Sequence, residues 1–323
     1  MRSVQTQSLF TLSAVKPLDG LLRYRAFCVA ATSRVLQGGT QRLTHAPGSG
    51  DPLAQYGDVE QIRYLRNPRD GSVFLADRPT PAAWKALLSE VSRYRHSPEA
   101  FHADLSQSRL DHVYAPKLEW IEDALRLQEI HRPSILEAMV APSNFTTFLE
   151  ESRSFAEVLV MDEMELASKP ENALPTPRVG AAVLLESLDR ALDPAALLQG
   201  VVSRVESGGL IFVTALVSSG FDFQVLGLHN RYLTPPDRAN CFSLSGLLAL
   251  LRQSGLAPLE VSTPGVLDVE IIRAHLHHEP SLPLSEFERQ LLTADEQTQE
   301  AFQTFLQQQG LSSFARIVTR KPS

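Results

Sequence analysis

The segment from Ser134 to Phe145 reads as a buried strand, Ile135 to Val140, running into a turn and then a helix, with Glu137 inside the strand. A turn in that position ordinarily cradles a nucleotide with glycine backbone, which tolerates positive φ and close approach of a ligand. Here Met139, Ala141 and Ser143 take those places, and Pro142 removes one backbone donor. Asp162 closes the apolar run Val158 to Met161. A carboxylate at a strand end can accept two hydroxyl protons at once. Further on, Arg231, Tyr232, Asp237, Arg238 and Asn240 share one loop, a combination of guanidinium and amide groups suited to a polar or anionic ligand. His275, His277 and His278 lie near Glu270 and Glu279. Without a register that gathers three ligands, this run reads as surface histidine, and no metal is expected. Cys241 has no neighbouring base and reads as a buried structural thiol.

The elements that must carry these groups follow from periodicity. From Ser134 onward, strand-like and helix-like segments alternate: strands at residues 135–140, 157–161, 181–185, 210–216 and 256–262, and helices at 145–151, 195–206 and 244–253. Continuous apolar strands alternating with helices imply a parallel sheet covered on both faces. A helix over residues 295–309, expected to be solvated, precedes a last strand in the tail 312–321. Before Ser134, helices are expected at 82–95, on Trp84, Leu87, Leu88 and Val91, and at 116–130, on Leu118, Ile121, Leu125 and Leu127. A hairpin joins residues 59–66 to 72–76 across Asn67 to Gly71. Residues 1 to about 51 read as short strands and loops.

Within this frame the chain resembles the class I S-adenosylmethionine (SAM) methyltransferases, of the type 11 and type 23 kind. Glu137 and Ala138 match the acid and apolar residue that precede the family's GxGxG turn, while Met139, Ala141 and Ser143 replace the glycines. Val158 to Asp162 resembles the second strand, whose terminal acid holds the cofactor ribose, with Glu163 as the alternative acid. Glu186 to Pro194 is similar to the E-V-L-E-H-L-x-D-P segment: Glu186, Leu188, Asp193 and Pro194 match, and Asp189 and Arg190 stand for Glu-His. Ser207 to Thr214 is similar to the P-G-G segment before the fifth strand. Asp237, Asn240, Phe242 and Ser243 match a D-H-L-N-x-F-S phrase, with Arg238 in the histidine position. Residues 72–81 resemble the end of a zinc-ribbon leader, but Cys28 alone cannot build a thiolate zinc site. A metal-free remnant is expected there.

The resemblance implies a Rossmann-like, mostly parallel sheet of seven strands with helices on both faces, in residues 101–323, behind a smaller α+β appendage in residues 1–100. It implies SAM as cofactor, held by Glu137, Met139, Ala141, Asp162, Glu163 and Glu186. Asp189, Arg190 and Asn240 would serve the reaction, and Arg231, Tyr232, Asp237 and Arg238 would face a small-molecule or sugar-type acceptor. The altered turn leaves a second reading open, a methyltransferase-like fold that serves as a binding or assembly module, alone, as a homodimer or with a partner protein.

Composition bounds the alternatives. A chain of 323 residues that is 43% apolar can bury a full core. A net charge of −7 with scattered basic residues disfavours nucleic acid. Two cysteines in unrelated contexts fit a reducing compartment, taken as the cytoplasm, and neither an export signal nor a membrane span is expected. The sequence has no GxSxG, HExxH or P-loop, which removes the common hydrolase, zincin and NTPase readings, and the missing glycines disfavour a dinucleotide reductase.

Overall fold

A computed structural model describes residues 18–97, 110–141, 144–167 and 178–322. Its elements are α1 (Leu18–Leu36), β1 (Thr40–Arg42), β2 (Ala54–Val59), β3 (Ile62–Arg66), β4 (Val73–Leu75), β5 (Asp77–Pro79), α2 (Pro81–Arg95), α3 (Ala115–Leu127), β6 (Ser134–Met139) and α4 (Phe145–Glu151). There follow β7 (Glu157–Asp162), α5 (Glu163–Ala167), β8 (Val179–Leu185), α6 (Ser187–Arg190), α7 (Pro194–Arg204), β9 (Val205–Leu216) and α8 (Phe221–Leu226). The chain closes with β10 (Asn240–Cys241), α9 (Leu244–Gln253), β11 (Ala257–Ser262), α10 (Asp268–His278), α11 (Glu286–Thr293), α12 (Glu296–Gln308) and β12 (Phe314–Arg320).

The main sheet runs β11-β12-β9-β8-β6-β7. Its β7, β6, β8 and β9 pair in parallel, and β12 lies antiparallel between β9 and β11. Strand periodicity sorts the apolar residues between the two faces. Leu136, Ala182, Leu184, Ile211, Val213 and Ile317 pack on one face with Leu197, Leu198 and Val201 of α7 and with Leu247, Leu250 and Leu251 of α9. Their neighbours Ile135, Ala181, Val183, Leu210, Phe212 and Val318 pack on the other, against Ile121 and Leu125 of α3 and Phe145 and Leu149 of α4. The sheet is thus covered on both sides, as the continuous apolar strands require. The main sheet has six strands among the described residues, where seven were expected.

Helix starts follow local chemistry. Asp193 accepts from the amides of Ala195 and Ala196 ahead of Pro194-led α7, and Ser243 accepts from the Gly246 amide at α9. Ser285 and Glu288 form a reciprocal capping box at α11.

Three expectations need correction. Residues 18–36 form a helix rather than short strands. Leu21, Tyr24, Cys28 and Ala31 are buried at three- to four-residue spacing, a stripe hidden in the sequence because arginines and polar residues interrupt it. The expectation for residues 1–17 lies outside the described residues. The glutamine-rich α12 is not simply solvated: Gln299 donates to Leu292 and Ala294 carbonyls, and Gln303 donates to Gly265 carbonyl and Asp268. In α3, Leu127 points to solvent, 75% exposed, and Lys117 is buried instead.

The expected hairpin is present as β3 and β4, in a four-stranded sheet ordered β10-β4-β3-β2. Its β10 comes from the long loop after α8, with Asn240 opposite Phe74 and Cys241 opposite Val73. The N-terminal residues and the loop 227–243 therefore share one sheet and one apolar cluster, which includes Tyr24, Trp84, Leu87, Val91, Leu233 and Cys241. No helix among the described residues is long and apolar enough to cross a membrane.

Candidate functional site

After β6 the chain lays β7 on one side and then crosses to place β8 on the other. Strand order reverses at β6, and in open α/β sheets ligands bind in the crevice beyond the carboxyl ends at such a point. Three acids gather there. Met139 and Asp162 are register partners at the ends of β6 and β7, Glu137 lies one turn of the pleat inward, and Glu186 follows the last residue of β8.

Glu137 is 4% exposed and accepts a hydrogen bond from Thr146 Oγ1 at 2.5 Å, which ties the strand to the first turn of α4. Val140 and Ala141 pack against the apolar cluster of the N-terminal helices. Pro142 and Ser143 lie outside the described residues. Asp162 and Glu165 cap each other: each backbone amide donates to the other's carboxylate at 2.9 Å. The second Asp162 oxygen accepts from Lys85 Nζ of α2 at 2.5 Å. Burial by itself would raise the Asp162 carboxyl, but the Lys85 contact and the backbone donors outweigh it and lower it. Glu163 is held elsewhere in the network. It accepts from the Asp193 amide at the start of α7, and burial pushes its carboxyl up to about 7.

Glu186 adopts a left-handed backbone, φ 57 and ψ 20. For a residue with a Cβ this costs about 1 kcal/mol or more. Three cations meet its carboxylate: Arg238 at 2.8 Å, Lys117 at 3.4 Å and Arg190 at 3.7 Å. Beside it, Asp237 is shared by Arg95 (2.6 Å), Arg190 (3.0 Å) and the Tyr24 hydroxyl (2.7 Å). Burial opposes the ionised form of Asp237, yet the guanidinium groups of Arg95, Arg190 and Arg238 hold it well below the usual carboxylate range. Asp189 is fully buried, accepts from the Leu216 amide at 3.0 Å and lies 3.1 Å from Arg238. Burial pushes its carboxyl up to about 7.

The residues assigned to the reaction from sequence are therefore anchored. Asp189 is interior rather than on a solvated helix face. Asn240 is fully buried and spends both Nδ2 protons on Leu188 and Ala191 carbonyls, while its Oδ1 accepts from Arg78 at 2.7 Å. Arg190 bridges Glu186 and Asp237. The loop after α8 divides. Asp237 and Arg238 join the charge network, whereas Arg231 and Tyr232 line a separate small cavity with Leu21, Leu226, Ile271, Ala274 and His275. His275 is buried, a correction to the surface reading of the histidine run, while His277 and His278 stay exposed. Cys28 and Cys241 are free and buried, and burial raises both thiols, so neither is a ready nucleophile.

Sequence reasoning missed Tyr24, Lys85, Arg95 and Lys117, which reach the strand ends from α1, α2 and α3. None leaves a local trace: Lys117 is one charged residue of α3 beside Glu119, Glu122, Asp123 and Arg126.

The raised carboxyls set a pH dependence. Asp189 and Glu163 are held near 7, above unfolded values of about 4. Their contribution to stability is fully present below about pH 4 and is lost as pH rises through about 7. Asp189→Asn is expected to flatten the fall in Tm between pH 5 and 8. Parallel Tm profiles for the two proteins would show that Asp189 does not titrate there.

No protein-family model matches the sequence, and no curated protein matches it. Solved structures do. The chain is similar to the Burkholderia thailandensis 1,6-didemethyltoxoflavin-N1-methyltransferase at 11% identity, covering 84% of this chain and 100% of that one, with a TM-score of 0.41. It is similar to the plantazolicin methyltransferase BamL at 13% identity over 74% and 97%, TM-score 0.41. It is similar also to the [4+2]-cyclase SpnF at 15% identity over 61% and 80%, TM-score 0.33. At such identities and TM-scores these likenesses carry no argument, and the α/β sheet, mostly parallel with helices on both faces, stands on the chain's own strand pairing and packing.

Proposed function

We propose that the chain is a SAM-dependent methyltransferase acting on a small-molecule acceptor, with a polar, sugar-type molecule as the acceptor class. The observation that carries the reading is the set of acids at the switch point, Asp162, Glu137 and Glu186, at the carboxyl ends of three adjacent parallel strands. These residues fit the cofactor. Asp162, with 28% of its side chain exposed, offers a carboxylate to a ribose diol. Its Lys85 partner is 58% exposed, and such solvent-screened surface pairs contribute little, so a diol can displace the lysine. Glu186 keeps 22% of its side chain open among Lys117, Arg190 and Arg238, a mixed-charge patch that suits a zwitterionic amino-acid end.

When bound, SAM supplies an electrophilic methyl group. The protein's part is to hold two molecules in line and exclude water, an effect that can account for several kcal/mol of a barrier. Asp237 and Asn240 do this from behind. They fix Arg190, Arg238 and the backbone of residues 188–191, so that the edge of β8 faces the cleft in one arrangement. Asp189 orients Arg238 rather than touching an acceptor.

Titration calorimetry with S-adenosylhomocysteine tests the reading. The expected result is micromolar binding, weakened about tenfold or more in Asp162→Ala and slightly tightened in Lys85→Met, since the latter frees the acid. No heat at millimolar ligand would leave the fold as a binding or assembly module, with its altered turn closed by its own side chains.

A further inference from the structure

The Gly227–His229 turn and the end of α10 bring together His229, His275 and Glu279. One ligand atom from each lies within 4.8 Å of the others. His275 and Glu279 are four residues apart, so the helix places them on one face. His275 Nε2 is 3.0 Å from Glu279 Oε2. Two ligand atoms around a tetrahedral zinc, each at roughly 2.0–2.2 Å from the metal, stand about 3.4 Å apart, so this pair needs only a small movement. The His229 and His275 rings have centroids 6.2 Å apart at an angle of 69°.

A second observation points to a ligand. His275 is 2% exposed, and neither of its ring nitrogens has an aligned hydrogen-bond partner among the described residues. Buried polar groups are almost always satisfied, and an exception in a cluster of ligating groups marks a place for an absent ion or water. The same imidazole lines the cavity bounded by Arg231 and Tyr232, whose volume of about 10 Å³ has room for one water.

We propose that His229, His275 and Glu279 form a binding site for a divalent metal ion of the zinc type, with two imidazoles, one carboxylate and an open fourth position. Two imidazoles and a carboxylate are the donor set of many zinc sites that keep a water. The charges of Arg231 and Arg25 act on His275, as does that of Glu279. Arg25 and Arg231 also repel a cation, and the Glu279 carboxylate offsets them. This keeps the site open to an anionic or solvent fourth ligand rather than a third histidine. The site does not depend on whether SAM binds at the strand edge.

Titration of the full chain with Co²⁺ alone, followed by visible absorption, and with Zn²⁺ alone by calorimetry reads the site directly. One equivalent should bind with a four- or five-coordinate cobalt spectrum. His229→Ala and Glu279→Gln change exposed ligands and should keep the fold by circular dichroism, and each should weaken affinity about tenfold or more. A His277→Ala/His278→Ala double variant should bind as the parent does. Absence of binding, or loss in the double variant with none in His229→Ala and Glu279→Gln, overturns the proposal.

Discussion

Asp237→Ala is expected to lower stability by about 3–5 kcal/mol, because it strips the shared counter-charge from guanidinium groups that are largely shut off from water. Arg95, Arg190 and Arg238 have side chains only 12%, 15% and 10% exposed. Arg95 and Arg190 bond Asp237 directly, and Arg238 feels its charge. Removing one partner of a buried ionic group leaves the others desolvated and unpaired, which exceeds the loss of the pair itself. At roughly 2–4 °C per kcal/mol for a large domain, Tm should fall by about 10 °C. Asp237→Asn, which keeps the shape and loses the charge, should recover only part of that. Differential scanning fluorimetry of the two variants decides the matter: a fall of 1 °C or less in both would mean that the network is not formed in solution. The same change should weaken S-adenosylhomocysteine binding, since Arg190 and Arg238 set the position of Glu186.

Trp84→Ala should be of similar size, about 3–5 kcal/mol, for a different reason. Trp84 is 1% exposed within the cluster formed by α1, α2 and the loop 227–243. Its indole Nε1 donates to the Arg190 carbonyl at 2.9 Å. The substitution leaves a cavity and orphans that carbonyl at once. Trp84→Phe separates the two effects: it keeps most of the packing and should cost about 1 kcal/mol for the hydrogen bond, plus a modest loss from the smaller ring. Equilibrium urea denaturation of the pair gives both values. Because α2 also carries Lys85 to Asp162 and Arg95 to Asp237, the alanine variant should loosen the cleft as well as the fold. An alanine variant as stable as its parent would show that the N-terminal helices do not pack across the strand ends.

The legible part of the chain was the part whose signal is local. Val179 to Leu185 and Leu210 to Val213 are apolar without interruption because each strand is buried on both faces, and that pattern alone implies parallel neighbours and covering helices. Asp193 and Ser243 announce helix starts for reasons of hydrogen bonding within a few residues. Asp162 was legible too, as an acid at the end of an apolar run. The helix at residues 18–36 was not, since its buried stripe is interrupted by Arg25 and polar residues that lie against the loop 227–243.

By itself, then, the sequence determined the order of the main-sheet strands and of the longer helices that cover them, and the acids at the carboxyl edge. Tertiary structure alone decided which groups meet those acids. Lys85 on Asp162, Arg95 and Tyr24 on Asp237, and Lys117 on Glu186 are pairs separated by scores of residues. No periodicity encodes such a contact. A charge carries no mark of its partner until packing removes the water between them, and burial then fixes both the pairing and the proton affinity of each group. The same holds for His229, His275 and Glu279, which only the packing of a short turn against α10 brings within reach of one ion.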